Sequence, residues 1–182
     1  MKVSEAKYRQ IALADPHGQW ELECGSLTRK PAMTFEHSRV ANVLGFLLQS
    51  QLDLREYAVH VNSGRTRRTD QNYHIPDVIV IPMSITGPLR HRQDVLDAYN
   101  ESLPLVEVWS PSTGRYDVDS KLPEYQRRGD LEIWRLHPFE RTLIAWHRQP
   151  DGNYSEARYE GRIVRPAALP GVSIDLDELF SV

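Results

Sequence analysis

Apolar residues recur along the chain at two spacings, and each spacing predicts a type of element. A stripe with the i, i+3, i+4, i+7 spacing of a one-sided helix follows Thr34, a residue type that caps helices. A shorter helix is predicted over residues 2–14, before a segment rich in turn-forming residues at 15–18. The longer helix is expected to pack one face on the core. Its apolar stripe consists of Val40, Val43, Leu44, Leu47 and Leu48.

Short runs that are β-branched, or that alternate apolar and polar residues, predict strands. The predicted strands are 20–24 with a hairpin return at 27–30, 57–61, 77–81, 105–109, 131–136, 142–147 and 154–159. Segment 63–68 is predicted as a polar loop, and 83–103 as a connector with one helical turn near 94–99. A helix is predicted over 119–128, and a helical turn over 175–180. This order predicts an α+β fold with helices packed on a mixed sheet.

The composition is that of an ordinary globular protein, with 40% apolar and 26% charged residues among 182. We expect one domain over residues 1–182, and not a disordered, collagen-like or coiled-coil chain. Cys24 is the single cysteine, which excludes an intrachain disulfide and a cysteine-rich zinc site. The sequence shows no secretory signal and no run of about 18 apolar residues, so a cytoplasmic location is expected.

The charged residues restrict the class of partner. A net charge of −3 argues against a strongly basic nucleic-acid coat protein. Of the 22 basic residues four are lysines, which leaves 18 arginines, so each lysine is conspicuous. Arginine suits phosphate binding, but a GC-rich genome produces the same bias. Arg65, Arg67 and Arg68 in the predicted loop could contact a nucleic-acid backbone, and a solvated loop has the same composition.

Two acidic residues stand in or beside apolar strands. Glu107 lies within Leu105–Trp109, where burying a carboxylate is costly unless it is paired or binds a cation. An edge strand with this face toward water explains the pattern equally well. Asp77 opens the strand 77–81 directly after Pro76, where an aspartate is commonly a turn former. Carboxylates from neighbouring strands can also converge on Mg²⁺, which prefers oxygen ligands.

Lys121 and Tyr125 are four residues apart in the predicted helix 119–128, so their side chains share one face. A lysine at a helix start opposes the helix dipole, which indicates that another requirement sets its position. A lysine that only braced the helix could be replaced by methionine at little cost, because its aliphatic stem does the packing. A lysine that acts on a phosphate could not.

Other catalytic patterns are missing from the sequence. The seven histidines include no pair at the spacing of a zinc-binding helix. Ser110 is not part of a G-x-S-x-G turn, and no glycine-rich phosphate loop is present. A zinc enzyme, a serine hydrolase and a nucleotide-binding loop are therefore disfavoured.

Several motifs occur in a fixed order along the chain. They are Trp20-Glu21-Leu22 with Gly25, Glu36-His37, Pro76-Asp77-Val78, Val106 to Thr113, Asp117 with Lys121, Tyr125 and Gly129, Glu132-Ile133-Trp134 with Pro138, and Pro170 to Phe180. This ordered set covers nearly the whole chain. It resembles the Uma-two family of restriction endonuclease-like proteins, within the PD-(D/E)XK nuclease superfamily.

The resemblance implies a restriction endonuclease-like αβββαβ core, a mixed β-sheet flanked by helices, with an extra N-terminal hairpin and extra C-terminal strands. It implies that Asp77 and Glu107 bind Mg²⁺ or Mn²⁺ and that Lys121 is the catalytic lysine. The superfamily usually places this lysine two residues after the glutamate, where this chain has Trp109. Here the following helix supplies it.

Three further residues are candidates for contacting the metal ligands without binding the metal themselves: Glu21, His37 and Tyr125. For Glu21 and His37 a purely structural role, bonding the hairpin to the helix, explains the match equally well. The resemblance thus implies an endonuclease that hydrolyses phosphodiester bonds of nucleic acid, with DNA as the expected substrate and a homodimer if both strands of a duplex are cut. The alternative is a nucleic-acid-binding or protein-interaction module that keeps the nuclease fold without cutting.

Overall fold

The computed structural model describes residues 1–112 and 114–181. The helices are α1 (Glu5–Ala14), α2 (Phe35–Gln51), α3 (Gly114–Tyr116), α4 (Leu122–Arg128) and α5 (Leu176–Ser181), with a π-helical segment, Asp117–Lys121, between α3 and α4 and a 3-10 turn at Met83–Ile85. The strands are β1 (Trp20–Glu23), β2 (Ser26–Arg29), β3 (Tyr57–Val61), β4 (Arg65–Thr69), β5 (Asn72–His74), β6 (Val78–Pro82), β7 (Ala98–Tyr99), β8 (Pro104–Val108), β9 (Glu132–His137), β10 (Thr142–Arg148), β11 (Tyr154–Glu160), β12 (Ile163–Val164) and β13 (Ile174–Asp175).

The largest sheet has six strands in the order β11-β10-β9-β8-β6-β3. All its neighbours are antiparallel except β8 and β9, which are parallel. Parallel strands need a long crossover, and α3, the π-helical segment and α4 provide it. With α2 before β3, the chain order is helix, three strands of this sheet, helix and strand. This confirms the predicted α+β fold with an αβββαβ core.

Helix α2 covers one face of this sheet. Thr34 caps it, and its Oγ1 accepts a hydrogen bond from the backbone N–H of His37 at 3.3 Å. Val40, Leu44 and Leu48 are buried against the sheet, as the apolar stripe predicts. Within the described part of the chain, no helix combines the length and the apolar character needed to cross a membrane.

Alternation along the central strands separates two core clusters, one on each face of the sheet. Val78 and Val80 of β6 belong to the cluster under α2. The intervening Ile79 lies on the opposite face, in a cluster that includes Tyr125 of α4. Since successive side chains of a strand point to opposite faces, Glu107 of β8 lies on the face that α4 covers.

A second sheet, β2-β1-β5-β4-β7, supports the first. Its core is a small cluster in which Tyr8 of α1 packs with Leu22 of β1 and Tyr73 of β5. The hairpin β1–β2 is the predicted N-terminal hairpin, and β1 also pairs with β5 at Leu22 and Tyr73. This pairing brings Glu21 beside the residues that follow β5.

The structure corrects three local predictions. The predicted loop at 63–68 is largely strand β4, which pairs with β5 on one side and β7 on the other. The predicted helical turn near 94–99 is wrong, because residues 98–99 form β7 and complete this sheet. The helix predicted to start at residue 119 begins at Gly114, so Lys121 lies within the helical run rather than at its start.

Candidate active site

Glu107 lies at the centre of the six-stranded sheet. Its strand, β8, has β6 on one side and β9 on the other, so β8 is not an edge strand. The side chain is buried, and only 4% of the residue surface is exposed. The edge-strand explanation of this carboxylate is therefore wrong, and the cost of burial has to be offset by partners.

Asp77 precedes β6 and is buried next to β8. Its Oδ2 accepts a hydrogen bond from the backbone N–H of Val108 at 2.6 Å and lies 2.9 Å from His37 Nε2. The ammonium of Lys30 lies 2.7 Å from its Oδ1. Burial alone would raise the pKa of Asp77, but Lys30 and His37 outweigh it and hold this pKa well below its usual range. Asp77 is therefore an ionised carboxylate at neutral pH.

Lys121 is as deeply buried as Asp77. Its Nζ lies 3.2 Å from Glu107 Oε1 and 3.2 Å from Glu21 Oε1. Burial opposes the charged form, but Glu107 and Glu21 raise the pKa of Lys121 well above its usual value. The π-helical segment ends at Lys121, and this wider turn sits where the lysine enters the site. Lys121 thus carries a fixed positive charge between two carboxylates.

The Lys121 ammonium is the ion-pair partner of both Glu107 and Glu21. The hydroxyl of Tyr125 donates a further hydrogen bond to Glu107 Oε1 at 2.6 Å. Burial raises the pKa of Glu107 well above its usual value; Asp77 adds to the shift and Lys121 opposes it. The predicted shared face of Lys121 and Tyr125 is confirmed, because both side chains reach the same oxygen of Glu107.

The backbone of Ile75 joins the two lysines. Its carbonyl oxygen accepts from Lys30 Nζ at 2.9 Å and from Lys121 Nζ at 3.3 Å. Its N–H donates to Glu21 Oε1 at 2.7 Å. Burial opposes ionisation of Glu21, but Lys121, His74, Lys30 and the Ile75 N–H together outweigh it and lower the pKa of Glu21. Glu21 therefore ties the hairpin to the site by holding both a backbone group and the lysine.

Two buried residues of this cluster were not predicted. Lys30 directly follows β2, the return strand of the hairpin. In the sequence it was conspicuous only because the chain has just four lysines. Asp117 lies in the π-helical segment, 3.9 Å from Lys121 Nζ, and one turn separates it from Lys121. It belonged to a recognised motif, but nothing in its local sequence indicated burial.

The three arginines predicted as phosphate contacts lie on β4 and have partners within the protein. Arg65 is buried and its Nε donates to Tyr8 Oη at 3.1 Å. Arg67 pairs with Glu5 at 3.0 Å, and Arg68 pairs with Glu124 at 2.6 Å. They are strand residues that fix α1 and α4 to the second sheet, so their local role is structural.

Carboxyl groups outnumber ammonium groups in the buried cluster. The cluster contains four carboxylates and two ammonium groups, and each residue has at most 6% of its surface exposed: Glu21, Asp77, Glu107, Asp117, Lys30 and Lys121. Burial raises the pKa of Glu107 well above its usual value, so the charge of the cluster depends on the protonation of this carboxyl. Carboxylate oxygens are the ligands that Mg²⁺ and Mn²⁺ prefer. The described residues contain no ready-made group of three or more metal-binding side chains, but Mg²⁺ needs only one or two carboxylates.

The space around the cluster is narrow. A small cavity beside Glu107 is lined by Asp117, Tyr125 and Arg135 among others, and its water-accessible volume is about 10 Å³. That volume holds about one water molecule. The carboxylates are therefore of the type that binds a divalent ion, while Lys30 and Lys121 lie at ion-pair distance from Asp77 and Glu107.

Comparisons with known proteins agree with this architecture. The profile of the Uma2 family, described as "Putative restriction endonuclease", matches residues 6–177. Among solved structures, the chain resembles a crystal structure of a putative nuclease belonging to DUF820 from Anabaena variabilis ATCC 29413, with a TM-score of 0.72 and 17% identity over 89% of each chain. No curated protein gives a significant match. The structural likeness shows the restriction endonuclease-like fold, and the extent of the family match shows that this chain belongs to the Uma2 family.

Proposed function

We propose that this protein is a metal-dependent endonuclease that hydrolyses phosphodiester bonds of nucleic acid. The observation that carries the proposal is the buried cluster in which Asp77, Glu107 and Lys121 meet at the centre of a nuclease-like sheet. The family description and the fold of the DUF820 nuclease support the same chemistry. Three separate chain segments supply these residues, so local turn chemistry does not explain their convergence.

Asp77 and Glu107 would hold Mg²⁺ or Mn²⁺. When bound, such an ion lowers the pKa of a coordinated water and stabilises charge that develops on the phosphate. Asp77 is ionised, because Lys30 and His37 stabilise its charged form. Glu107 would donate its carboxylate oxygens from the adjacent strand.

Lys121 supplies a positive charge next to Glu107 at a fixed position. Its contacts with Glu21 and the Ile75 carbonyl hold the ammonium independently of Glu107. A preorganised ammonium of this kind stabilises negative charge on a phosphate in the transition state, and it can orient the attacking water. Glu21 and His37 are then positioning residues, which hold Lys121 and Asp77.

The proposed substrate is DNA, and the proposed assembly for cutting a duplex is a two-fold dimer. The test is a plasmid-nicking assay with Mn²⁺ or Mg²⁺. Wild type is expected to convert supercoiled plasmid to nicked or linear DNA, while Asp77→Asn and Glu107→Gln are expected to be inactive. Glu101→Gln, at an exposed position, is the matched control and should retain full activity.

One observation favours the alternative, a module that keeps the fold without cutting. Lys30 and Lys121 already contact Asp77 and Glu107 at ion-pair distances, so the cluster is satisfied in part without an ion. If wild type cuts neither DNA nor RNA with any divalent metal, while it binds nucleic acid, this alternative replaces the nuclease assignment.

A further inference from the structure

The six-stranded sheet ends in two different edge strands. At one edge lies β3, where Gln49 Nε2 of α2 donates to the Val59 carbonyl at 3.3 Å. At the other edge lies β11, a strand of seven residues. In the second sheet, the N-terminal segment covers edge strand β2, since the Leu27 N–H donates to Met1 O at 2.9 Å, and β7 has two residues. Proteins usually cover or shorten edge strands, because their free N–H and C=O groups pair with other strands. The β11 edge is therefore the one that needs an explanation.

Alternate residues of β11 direct their backbone groups away from β10. The Gln149 N–H donates to Asn153 O at 2.7 Å, at the start of the β10–β11 ladder. Hydrogen-bonded and non-hydrogen-bonded pairs alternate in an antiparallel ladder, so the even-numbered residues of β11 face outward. Arg148, which stands opposite Tyr154, accordingly donates its N–H to Leu131 O on the far side. Within residues 1–112 and 114–181, nothing bonds to the outward N–H and C=O groups, which belong to Tyr154, Glu156, Arg158 and Glu160.

The side chains of β11 match a second copy of the same strand in one register. When two antiparallel copies place Ala157 opposite Ala157, Glu156 of each copy faces Arg158 of the other, and Tyr159 faces Ser155. Opposite charges across a strand pair are stabilising, and like charges are destabilising. A two-fold axis at Glu156 or at Arg158 would instead place two glutamates or two arginines opposite each other. A larger shift leaves few residues paired, so the charges favour the register centred on Ala157.

The backbone supports the same register. With Ala157 on the axis, the outward-facing residues of the two copies lie opposite one another as four hydrogen-bonded pairs, which gives about eight hydrogen bonds. Ala157 then forms a non-hydrogen-bonded pair with its copy, in which the two Cα atoms are about 4.5 Å apart. The small alanine side chain therefore lies where the two strands approach most closely.

The charged side chains retain groups for this pairing. Glu156 is exposed, and its Oε2 accepts from Trp146 Nε1 at 2.9 Å, which holds the carboxylate at the edge. Arg158 Nε already donates to Glu160 at 3.0 Å, and Glu140 lies 3.8 Å from its terminal nitrogen. A guanidinium has five N–H donors, and the Arg158 side chain is 53% exposed. The pairing therefore requires a second carboxylate contact from Arg158, and not a free charge.

We infer that β11 is the surface through which two copies of this chain associate, by antiparallel pairing of the two strands about Ala157. The two six-stranded sheets then become one continuous sheet. This assigns a surface to the two-fold dimer; the purpose of the dimer rests on the proposed function, whereas the surface rests on the sheet edge.

The first experiment measures association by sedimentation equilibrium, without nucleic acid or divalent metal. Wild type is expected to form a dimer as its concentration rises. Glu156→Arg and Arg158→Glu each place like charges opposite each other at two symmetry-related positions. Each variant is expected to raise the dissociation constant by about tenfold or more. Arg92→Glu, exposed in a connector, is the matched control and should associate as wild type does.

An equimolar mixture of Glu156→Arg and Arg158→Glu tests the register itself. In the mixed dimer, arginines of one chain face glutamates of the other at both positions. The mixture is therefore expected to associate as wild type does, although neither variant does so alone. Loss of folding in one variant cannot produce this recovery, so a failure to recover counts against the register centred on Ala157.

Disulfide trapping tests the axis in a Cys24→Ser background, which removes the single native cysteine. Ala157→Cys is expected to give a covalent dimer on mild oxidation, because paired Cα atoms about 4.5 Å apart lie within disulfide range. Ser155→Cys is the matched control. Its copies would lie about 14 Å apart along the strands, too far for a disulfide.

A chain that stays monomeric at every concentration overturns the inference. A dimer that neither charge variant weakens, or that Ser155→Cys traps as readily as Ala157→Cys, overturns the assigned surface. The two proposals fail separately. Dimerisation through β11 without any cleavage of nucleic acid refutes the nuclease assignment alone, and cleavage by a chain that does not pair through β11 refutes this surface alone.

Discussion

The buried lysine offers the sharpest test of the structure. Lys121 is 1% exposed and its ammonium lies 3.2 Å from both Glu107 and Glu21. In Lys121→Met the two carboxylates lose their shared partner and stay buried. Breaking a buried ion pair by removing one side costs about 3–5 kcal/mol. A domain of this kind has about 5–15 kcal/mol of unfolding free energy, so the variant loses a large part of it.

The expectation that methionine could replace a merely structural lysine at little cost does not apply to this position, because the ammonium is buried in ion pairs. It assumed that the aliphatic stem packs while the charge reaches water. Here the charge is buried with the stem, and it neutralises two acids. Any loss of activity in Lys121→Met must be measured on protein shown to be folded at the assay temperature.

The assay is urea unfolding at pH 7, followed by the fluorescence of the four tryptophans. Lys7→Met is the matched control, since Lys7 is exposed on α1, and its unfolding free energy should equal that of wild type. The double variant Glu107→Gln, Lys121→Met also removes one of the two carboxylates that the lysine leaves without a partner. Its loss of unfolding free energy should be smaller than the sum of the two single-variant losses by about 0.5–3 kcal/mol. If Lys121→Met unfolds within about 1 kcal/mol of wild type, the buried ion pairs described here do not exist.

Three further outcomes are expected. Mn²⁺ at 100 times its dissociation constant should stabilise wild type by about 2.7 kcal/mol and raise its melting temperature, whereas Asp77→Asn and Glu107→Gln should show no shift. Glu5→Gln should cost about 1 kcal/mol at pH 7, since the ion pairs of Glu5 are partly exposed. Although burial opposes it, hydrogen bonds from Tyr73 and two arginines lower the pKa of Glu5, so its contribution is present above pH 4.5 and disappears as pH falls through the lowered pKa. Acid unfolding curves should therefore converge for wild type and Glu5→Gln. Gly45→Ala should destabilise by about 1–3 kcal/mol in urea unfolding, because its Cβ would lie 2.5 Å from a Val61 methyl group.

The sequence predicted the core elements well because their side-chain periods are strong. The stripe from Val40 to Leu48 repeats at the helical spacing over more than two turns, and β6 and β8 are short β-branched runs. Segment 65–69 was missed because its composition is Arg-Thr-Arg-Arg-Thr, which is typical of a solvated loop. Strand pairing with β5 and β7, together with partners for each guanidinium, outweighs that local preference.

The residues of the candidate site could be predicted from the sequence for a different reason. Glu107 interrupts an apolar strand, Lys121 is one of four lysines, and the ordered motifs linked both to Asp77. Those signals identify the candidate residues and their order along the chain, but they do not show how deeply each side chain is buried. The contact between Lys30 and Asp77 depends on how the β1–β2 hairpin packs against the segment that joins β5 to β6. No local sequence pattern encodes that packing.

The burial of so many ionisable side chains connects this cluster to its proposed role. Replacing buried ion pairs with packed apolar side chains is often neutral or stabilising, so such a cluster is a poor way to stabilise a fold. This cluster buries four carboxyl groups and two lysines. Strongly shifted ionisation from burial and close charges is characteristic of functional sites. The shifted ionisation of Asp77, Glu107 and Lys121, which meet from three chain segments at the centre of the sheet, therefore supports the proposed functional site.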